Sequence, residues 1–212
     1  ISLAHRGVLF LDEIPEFPRT TLESLRQPLE DGFITISRAS GTLIFPSRFL
    51  LLAASNPCPC GYLGHEKKPC HCLPGTILKY RKRLSGPLLD RIDLHIDVPS
   101  VSEEKLTSNT LSESSQKVRA RVVGARAIQK KRFKGLKIFS NGEMSSSQIK
   151  KFCQLSPEAT DLLKQAIVKL SLSARSYFKT IKISQTIADL NGREIIDVSY
   201  VSEALQFRSH DE

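Results

Sequence analysis

Short apolar runs separated by helical stretches organise the first half of the chain. Residues 8–11 and 49–54 are continuous apolar runs, which are typical of strands buried on both faces of a parallel sheet, and residues 94–98 are a third candidate. Residues 33–37 and 42–45 are rich in β-branched and aromatic side chains, and the polar residues between them predict a hairpin. This alternation predicts an α/β domain with a mainly parallel sheet.

Helical signals lie between these strands. Thr20 and Glu23 have capping-box spacing, so a helix is predicted to begin there. Pro28 should kink this helix and Gly32 should end it. A second, basic helix is predicted over residues 76–84.

The pattern becomes helical after a segment rich in Ser, Thr and Glu. Residues 101–115 form this segment, and we predict that it links a domain over residues 1–100 to an all-α domain over residues 116–212. Ser156 followed by Pro157 marks a helix start. Val118, Val122, Ala125 and Ile128 form an apolar stripe on an earlier helix, and further helices are predicted over residues 173–190 and 198–207.

The chain is basic, with a formal net charge of +9 from 31 Lys and Arg against 22 Asp and Glu. This excess favours a polyanionic partner, with nucleic acid first, although a basic surface without such a partner is equally compatible. The cations concentrate in residues 79–83 and 119–137. The sequence contains no apolar run long enough to cross a bilayer and no signal-peptide pattern, so we expect a cytoplasmic protein without a membrane partner.

Two adjacent carboxylates, Asp12 and Glu13, follow the first apolar run. Ligands of open α/β sheets bind at the carboxyl ends of strands. Successive strand residues point in opposite directions, so one carboxylate could hold Mg²⁺ while the other polarises an attacking water, unless the pair is only a solvated turn. Asn56 follows the second run, where its amide could bond a phosphate oxygen and that water, or simply form a turn.

Four of the five cysteines lie within fifteen residues on a segment rich in Gly and Pro: Cys58, Cys60, Cys70 and Cys72. Two Cys-x-Cys pairs could close a tetrahedral Zn²⁺ site, with His65 or His71 replacing one ligand. The one-residue gap differs from the common Cys-x₂-Cys knuckle. Free thiols, a redox pair and an iron–sulfur cluster are the alternatives. Cys153 stands apart and is predicted to be buried.

Four strings make the sequence resemble one family. They are GVLFLDEIPEF at residues 7–17, AASNPCPCGYLG at 53–64, RLSGPLLDRIDLHIDV at 83–98 and LSARSYFKTIKISQTIADLNG at 172–192. The chain resembles the magnesium-chelatase-like AAA+ ATPases of the YifB/ComM competence-protein family over essentially its whole length. The resemblance implies a partial AAA+ core of the P-loop type, followed by an all-α helical lid.

The resemblance also implies roles for single residues. Asp12 and Glu13 match a Walker B motif, in which Asp12 would hold Mg²⁺ and Glu13 would activate the water. Asn56 matches sensor 1, and Arg175 matches the sensor 2 arginine on the lid. Arg91 matches an arginine finger, which reaches the γ-phosphate held by the next subunit. The structural alternatives are an Arg91 paired with Asp90 or Asp93, and a solvated Arg175.

One element of the family pattern is missing, since no Gly-x-x-x-x-Gly-Lys-Ser/Thr string occurs in the sequence. That string supplies phosphate-binding amides and a lysine. In the family it lies N-terminal to the segment with which this chain begins, and the first residue is Ile1 rather than Met. We therefore interpret the chain as part of a longer protein and expect it not to hydrolyse ATP by itself.

Three functions are compatible with these residues. The resemblance favours an ATP-driven motor that forms a homo-oligomeric ring, expected to be a hexamer, and remodels DNA or promotes branch migration in recombination and natural transformation. Its expected cofactors are ATP and Mg²⁺, with Zn²⁺ at the cysteine cluster. The hairpin tip at residues 38–40 is a candidate DNA contact, or equally a solvated turn. The alternatives are a magnesium-chelatase-like motor subunit acting on a metal-insertion partner, and a non-enzymatic DNA- or protein-binding chain.

Overall fold

The computed structural model describes residues 1–39, 41–65, 67–99 and 112–208. Two compact units are present, Ile1–Ile92 and Asp93–Glu212. The first is mixed α/β and the second is mainly helical, which confirms the fold class expected from the sequence. Ser40 of the hairpin tip and residues 101–111 of the predicted linker lie outside the described residues, and the linker boundaries stay a prediction.

The first unit alternates strands with short helices. Its strands are β1 (Val8–Leu11), β2 (Phe33–Arg38), β3 (Gly41–Pro46) and β4 (Leu50–Ala53). Its helices are α1 (Arg19–Ser24), α2 (Arg26–Asp31), α3 (Pro74–Arg81) and α4 (Gly86–Leu89), with 3₁₀ turns at Ser2–Ala4 and Ile14–Glu16. β1 pairs with β4 in parallel, and β2 pairs with β3 as an antiparallel hairpin, which confirms the predicted hairpin.

The parallel pair β1–β4 is covered on one face. Leu9, Leu11 and Ala53 pack against the apolar core of the unit, which is formed by Ile14, Leu22, Leu25 and Leu88. Side chains on the opposite face are 54% to 63% exposed, namely Val8, Phe10, Leu50 and Leu52. The prediction that both strands are buried on both faces is therefore wrong, because the described helices cover only one side of this sheet.

Residues 94–98 form no strand, although their apolar alternation predicted one. Leu94, Ile96 and Val98 are exposed, Val98 at 86%. The N–H of His95 instead donates to the carbonyl oxygen of Phe207 at 2.8 Å. Alternation alone is insufficient, because a strand also needs a neighbour whose backbone groups complete the hydrogen-bonded ladder.

The helical stretch after β1 is broken into α1 and α2. The break precedes Pro28, which has no N–H to bond the carbonyl oxygen of Ser24 and whose ring would clash with it. The predicted capping box is wrong: Pro18 occupies the N-cap position without a side-chain hydrogen bond. Glu23 instead forms an ion pair with Arg26 at 2.6 Å.

Gly32 fixes the turn from α2 into the hairpin. It ends α2, as predicted, with φ 73°. Its carbonyl oxygen accepts a hydrogen bond from the N–H of Ser47 at 2.9 Å, which closes the base of the hairpin. A Cβ at this position would lie 2.7 Å from Cγ of Arg48. Only glycine combines the positive φ with so close an approach.

The second unit is built from capped helices. They are α5 (Ser115–Arg132), α6 (Ser146–Phe152), α7 (Pro157–Lys169), α8 (Ala174–Leu190) and α9 (Val198–Gln206). A 3₁₀ turn spans Asn141–Glu143, and β5 (Gln154–Leu155) pairs in parallel with β6 (Ile195–Ile196). Ser156 caps α7 by accepting from the N–H of Ala159 at 3.1 Å, which confirms the predicted helix start. In the described residues, no helix has both the length and the apolar character needed to cross a membrane.

A buried ion pair joins α5 to α8. The Arg132 guanidinium donates to both carboxylate oxygens of Asp189, at 2.8 and 2.5 Å, and to the side-chain oxygen of Asn141 at 3.0 Å. The Asn141 and Gln185 amides donate to the same carboxylate at 2.8 and 3.3 Å. The Asp189 side chain has no exposed surface. Because a buried charge requires partners, this network fixes the packing of α5 on α8.

Candidate functional site

The carboxyl end of β1 carries an exposed acidic turn. Asp12 and Glu13 follow the strand directly, and the N–H of Glu13 donates to Oδ1 of Asp12 at 3.0 Å. The turn is tied to β4, because the N–H of Ile14 donates to the carbonyl oxygen of Ala54 at 2.9 Å. Glu13 has a left-handed backbone, with φ 47° and ψ 49°. This conformation costs a non-glycine residue about 1 kcal/mol and is found where the surrounding structure imposes it.

Asn56 lies at the same edge of the sheet. It comes three residues after β4, the parallel neighbour of β1, and it is exposed. The N–H of Ala54 donates to the carbonyl oxygen of Leu11 at 2.9 Å, so the chain leading to Asn56 bonds both sides of the acidic turn. The parallel pairing therefore places Asp12, Glu13 and Asn56 at one edge.

Tyr80 of α3 lies beside this edge. Its side chain is nearly buried. Burial raises the pKa of the Tyr80 phenol, the negative charges of Glu16 and Glu13 raise it further, and a backbone hydrogen bond from Asn56 lowers it. Tyr80 is therefore near both the acidic turn and Asn56. Sequence analysis missed it, because an aromatic residue on a short helix carries no signal beyond its apolar character.

Arg83 braces the 3₁₀ turn that directly follows the acidic turn. Its Nη1 donates to the carbonyl oxygen of Pro15 at 2.9 Å and to Oε2 of Glu16 at 2.7 Å. The sequence showed Arg83 only as one cation of a basic segment, since nothing in the residue pattern links positions so far apart in the chain.

Arg91 forms an internal ion pair. Its guanidinium contacts the Glu30 carboxylate on α2 and donates to the carbonyl oxygen of Pro87 at 2.6 Å. The Arg91 side chain is 13% exposed, and its Nε is buried without a hydrogen-bond partner among the described residues. Leu88 of the same segment is fully buried in the core of the unit. Sequence proximity did not suggest Glu30 as the partner.

Arg175 belongs to the second unit. It is the second residue of α8, and its side chain is exposed. Ser173 caps this helix by accepting from the N–H of Ser176 at 3.1 Å, which fixes the start of α8 as the sequence predicted.

The four clustered cysteines converge on one point. Their sulfur atoms all lie within 4.8 Å of one another. Sγ of Cys58 is 3.4 Å from Sγ of Cys60 and 3.7 Å from Sγ of Cys70. The Sγ atoms of Cys60 and Cys70 are 3.5 Å apart. These separations exceed the disulfide bond length of about 2.05 Å. They are close to the edge, about 3.8 Å, of a tetrahedron with Zn–S bonds of about 2.3 Å.

The chemistry of the cluster suits a metal that binds thiolates. A backbone hydrogen bond from Tyr62 lowers the pKa of the Cys60 thiol to about 6, and hydrogen bonds from neighbouring thiols act in the same direction. The hydrogen bond to Cys60 raises the pKa of the Cys72 thiol in turn, and the pKa of Cys70 is raised to about 12, so the four thiols share protons within one cluster. The group contains neither His65 nor His71. Nδ1 of His65 instead accepts from the N–H of Lys67 at 3.0 Å. The donor set is therefore four sulfurs in tetrahedral proximity, which fits zinc and also the iron–sulfur alternative.

Comparison with known proteins places both units in one family. Residues 1–106 match the family model for magnesium chelatase, subunit ChlI, and residues 112–208 match the model for the ChlI C-terminal region. The chain belongs to the magnesium-chelatase-like family. Its resemblance to the AAA+-type ComM and YifB proteins, expected from the sequence motifs, is confirmed by identities of 44% and 42% over the whole chain.

Three relatives cover nearly all of this chain. The competence protein ComM of Haemophilus influenzae is 44% identical over 211 residues, which are 99% of this chain and 40% of that protein. The Escherichia coli protein YifB is 42% identical over 213 residues, covering 100% of this chain and 41% of that protein. Rv2897c of Mycobacterium tuberculosis is 38% identical over 208 residues, covering 98% and 41% respectively. This magnesium-chelatase-like chain thus spans about two fifths of the length of these relatives.

Proposed function

We propose that this protein is the hydrolytic part of an AAA+ ATPase motor that remodels DNA. The observation that carries the proposal is the shared sheet edge, where the parallel strands β1 and β4 end and are followed by Asp12 and Glu13 and by Asn56. Nucleotides bind at the carboxyl ends of parallel strands in α/β folds. Family membership supports the same assignment. Because the chain spans about two fifths of its relatives, the activity belongs to the complete protein.

Each residue of the edge has a proposed task. Asp12 holds Mg²⁺, which neutralises phosphate charge when it is bound. Glu13 activates the attacking water: its carboxylate accepts a hydrogen bond from the water and then takes its proton as the water attacks phosphate. The Asn56 amide donates to a phosphate oxygen and accepts from the same water. Arg83 limits the movement of the segment that directly follows the two carboxylates.

The two arginines are proposed to act on phosphate in an assembled ring. Arg91 is the arginine finger, which stabilises negative charge on a phosphate bound by the neighbouring subunit. Arg175, exposed on α8, is the sensor 2 arginine, which couples the position of the helical unit to the presence of phosphate. A closed homo-oligomeric ring, proposed to be a hexamer, places each Arg91 at the next site.

DNA is the proposed substrate of the motor, and branch migration in recombination or natural transformation is the proposed process. The net charge of +9 supports a polyanionic partner. The name of one relative, competence protein ComM, supports a link to competence. The β2–β3 hairpin is the proposed contact with DNA, and Arg38, the last residue of β2, lies at its tip.

The cysteine cluster is proposed to hold a structural Zn²⁺. All four positions around the ion are supplied by the chain, which distinguishes a structural from a catalytic zinc site. The loop that carries it starts two residues after Asn56 and ends at α3, which carries Tyr80. A zinc ion would therefore restrain both ends of the connection between Asn56 and Tyr80.

The proposal is tested by the ATPase rate of the complete protein with and without branched DNA. Glu13→Gln should abolish turnover and leave nucleotide binding intact, because the amide cannot accept a proton from water. Glu203→Gln, an exposed change on α9, is the matched control and should leave the rate unchanged. Normal turnover by the Glu13→Gln protein would refute the assignment of Glu13.

A second candidate is a motor subunit that drives metal insertion by a partner protein. The observation in its favour is the match of residues 1–106 to the magnesium chelatase ChlI model. ATPase activity that responds to a porphyrin-binding partner and not to DNA would establish it. DNA binding in a complete protein without any ATPase activity would instead support a non-enzymatic binding role.

A further inference from the structure

One segment of the second unit holds a large share of the positive charge of the chain. Between residues 115 and 142 there is no Asp or Glu, whereas nine Lys and Arg occur there: Lys117, Arg119, Arg121, Arg126, Lys130, Lys131, Arg132, Lys134 and Lys137. The segment consists of α5 and the turn that follows it. Its charge equals the net charge of the whole chain, +9.

Two of these cations have acidic partners among the described residues: Arg132 is bound by the buried Asp189, and Arg121 contacts Glu113 at 2.7 Å. Arg126 donates to the side-chain oxygen of the neutral Gln129 at 3.5 Å. Arg126 and the remaining six cations belong to exposed residues. Like charges four residues apart on a helix, such as Arg126 and Lys130, repel each other. This repulsion is relieved when an anion binds between them, so the segment is suited to a polyanion.

A cleft at the C-terminal end of α5 combines these charges with apolar side chains. Arg126, Lys130 and Lys134 line an open cleft of about 350 Å³ together with Leu136 and Phe139. The Phe139 side chain is 57% exposed, and Leu136 is 41% exposed. The cleft therefore presents cations and an exposed aromatic residue on one surface. The number of charges in the sequence does not by itself predict this combination.

We propose that this cleft is a binding site for single-stranded nucleic acid, whose phosphates contact Lys130, Lys134 and Arg126 and one of whose bases stacks on Phe139. Single strands are preferred because only an unpaired base offers its face to an aromatic side chain. The inference rests on the nucleic-acid partner of the proposed function and deepens it. It places a second contact on the helical unit, in addition to the hairpin of the first unit.

The test measures binding of a fluorescent oligothymidine to the 212-residue chain, without nucleotide, over a range of salt concentrations. Lys130→Glu/Lys134→Glu should weaken binding at least tenfold and lower the salt slope by about 1.4, the value for two lost phosphate contacts on a single strand. Phe139→Ala should weaken binding of the single strand about 5- to 100-fold and leave duplex binding unchanged. Lys164→Glu/Lys169→Glu on α7 makes the same charge change elsewhere in the unit and should have less than a twofold effect.

Several results would overturn the inference. Unchanged oligothymidine binding by Lys130→Glu/Lys134→Glu, with the fold intact by circular dichroism, would exclude the cleft. An equal loss of oligothymidine binding in the α7 control Lys164→Glu/Lys169→Glu would mean that binding depends only on net charge. Duplex binding weakened by Phe139→Ala as much as single-strand binding would exclude base stacking, and binding of anionic vesicles in preference to oligothymidine would identify a membrane surface instead. Because this assay needs no hydrolysis, failure of the ATPase proposal would leave the inference about the cleft intact. The Glu13→Gln variant should bind oligothymidine normally.

Discussion

The Arg91 guanidinium is paired with the Glu30 carboxylate of its own chain. Glu30 is the second-last residue of α2, and Gly32, two residues later, begins the turn into the β2–β3 hairpin. An arginine that reaches phosphate on a neighbouring subunit has to leave this partner first. The pair therefore links the proposed arginine finger to the helix that supports the proposed DNA contact.

Glu30→Gln should raise the ATPase rate of the complete protein without DNA. The substitution removes the charge that competes with phosphate for Arg91, and a partly exposed pair contributes up to about 1 kcal/mol, or about fivefold in rate. The measurement is the steady-state rate with and without DNA, and stimulation by DNA should shrink. Glu113→Gln, which removes the exposed partner of Arg121, is the control. A lower rate accompanied by a lower melting temperature would mean that Glu30 acts only in stability.

The left-handed backbone of Glu13 gives a prediction about stability. Glu13→Gly should be about 1 kcal/mol more stable than Glu13→Ala, because glycine adopts φ 47° without a Cβ clash. Both variants lack the carboxylate, so their free energies of unfolding can be compared directly by denaturant titration. At Glu16, which has no positive φ, the order should reverse and alanine should be the more stable. Equal stabilities of the two Glu13 variants would show that the turn is not strained.

Removal of metal should destabilise the first unit. Zinc that binds only the folded chain adds about 4 kcal/mol to the free energy of unfolding when the free zinc concentration is 1,000-fold above Kd. A chelator or Cys70→Ser should remove most of this added stability. Metal analysis should give one zinc per chain, falling to a small fraction in Cys70→Ser. Cys153→Ala, outside the cluster, should keep the metal. A metal-free protein with a disulfide in the cluster would refute the zinc proposal.

Sequence reasoning located the elements with strong local signals. Ser156 before Pro157, Gly32 at the end of α2, and the hairpin all act through backbone requirements of a few neighbouring residues, which the sequence displays directly. The cysteine spacing also indicated a cluster, and the structure brings the four sulfurs together. Such features depend little on the rest of the chain.

Features set by distant packing were not visible in the sequence. Residues 94–98 have the composition of a strand and form none, since pairing depends on a neighbouring strand. The stripe predicted on α5 is only partly covered, because Ala125 is buried whereas Val118 and Val122 are 41% and 48% exposed. The partners of Arg91 and Arg132, Glu30 and Asp189, are each more than 50 residues away in the sequence. No local pattern identifies such pairs.

The Arg132–Asp189 pair should dominate the stability of the second unit. Asp189→Asn keeps the shape of the side chain but leaves the buried guanidinium of Arg132 without its counter-charge, which costs about 3–5 kcal/mol. Urea titration followed by far-ultraviolet circular dichroism should report this loss.

The exposed pair Lys164–Asp161 is the control for that measurement, and Asp161→Asn should change the free energy of unfolding by less than about 0.5 kcal/mol. The double variant Arg132→Met/Asp189→Leu should be more stable than Asp189→Asn alone, because it removes both buried charges rather than isolating one. A loss below about 1 kcal/mol for Asp189→Asn would show that water reaches Arg132 and that the packing of α5 on α8 depends on apolar contacts instead.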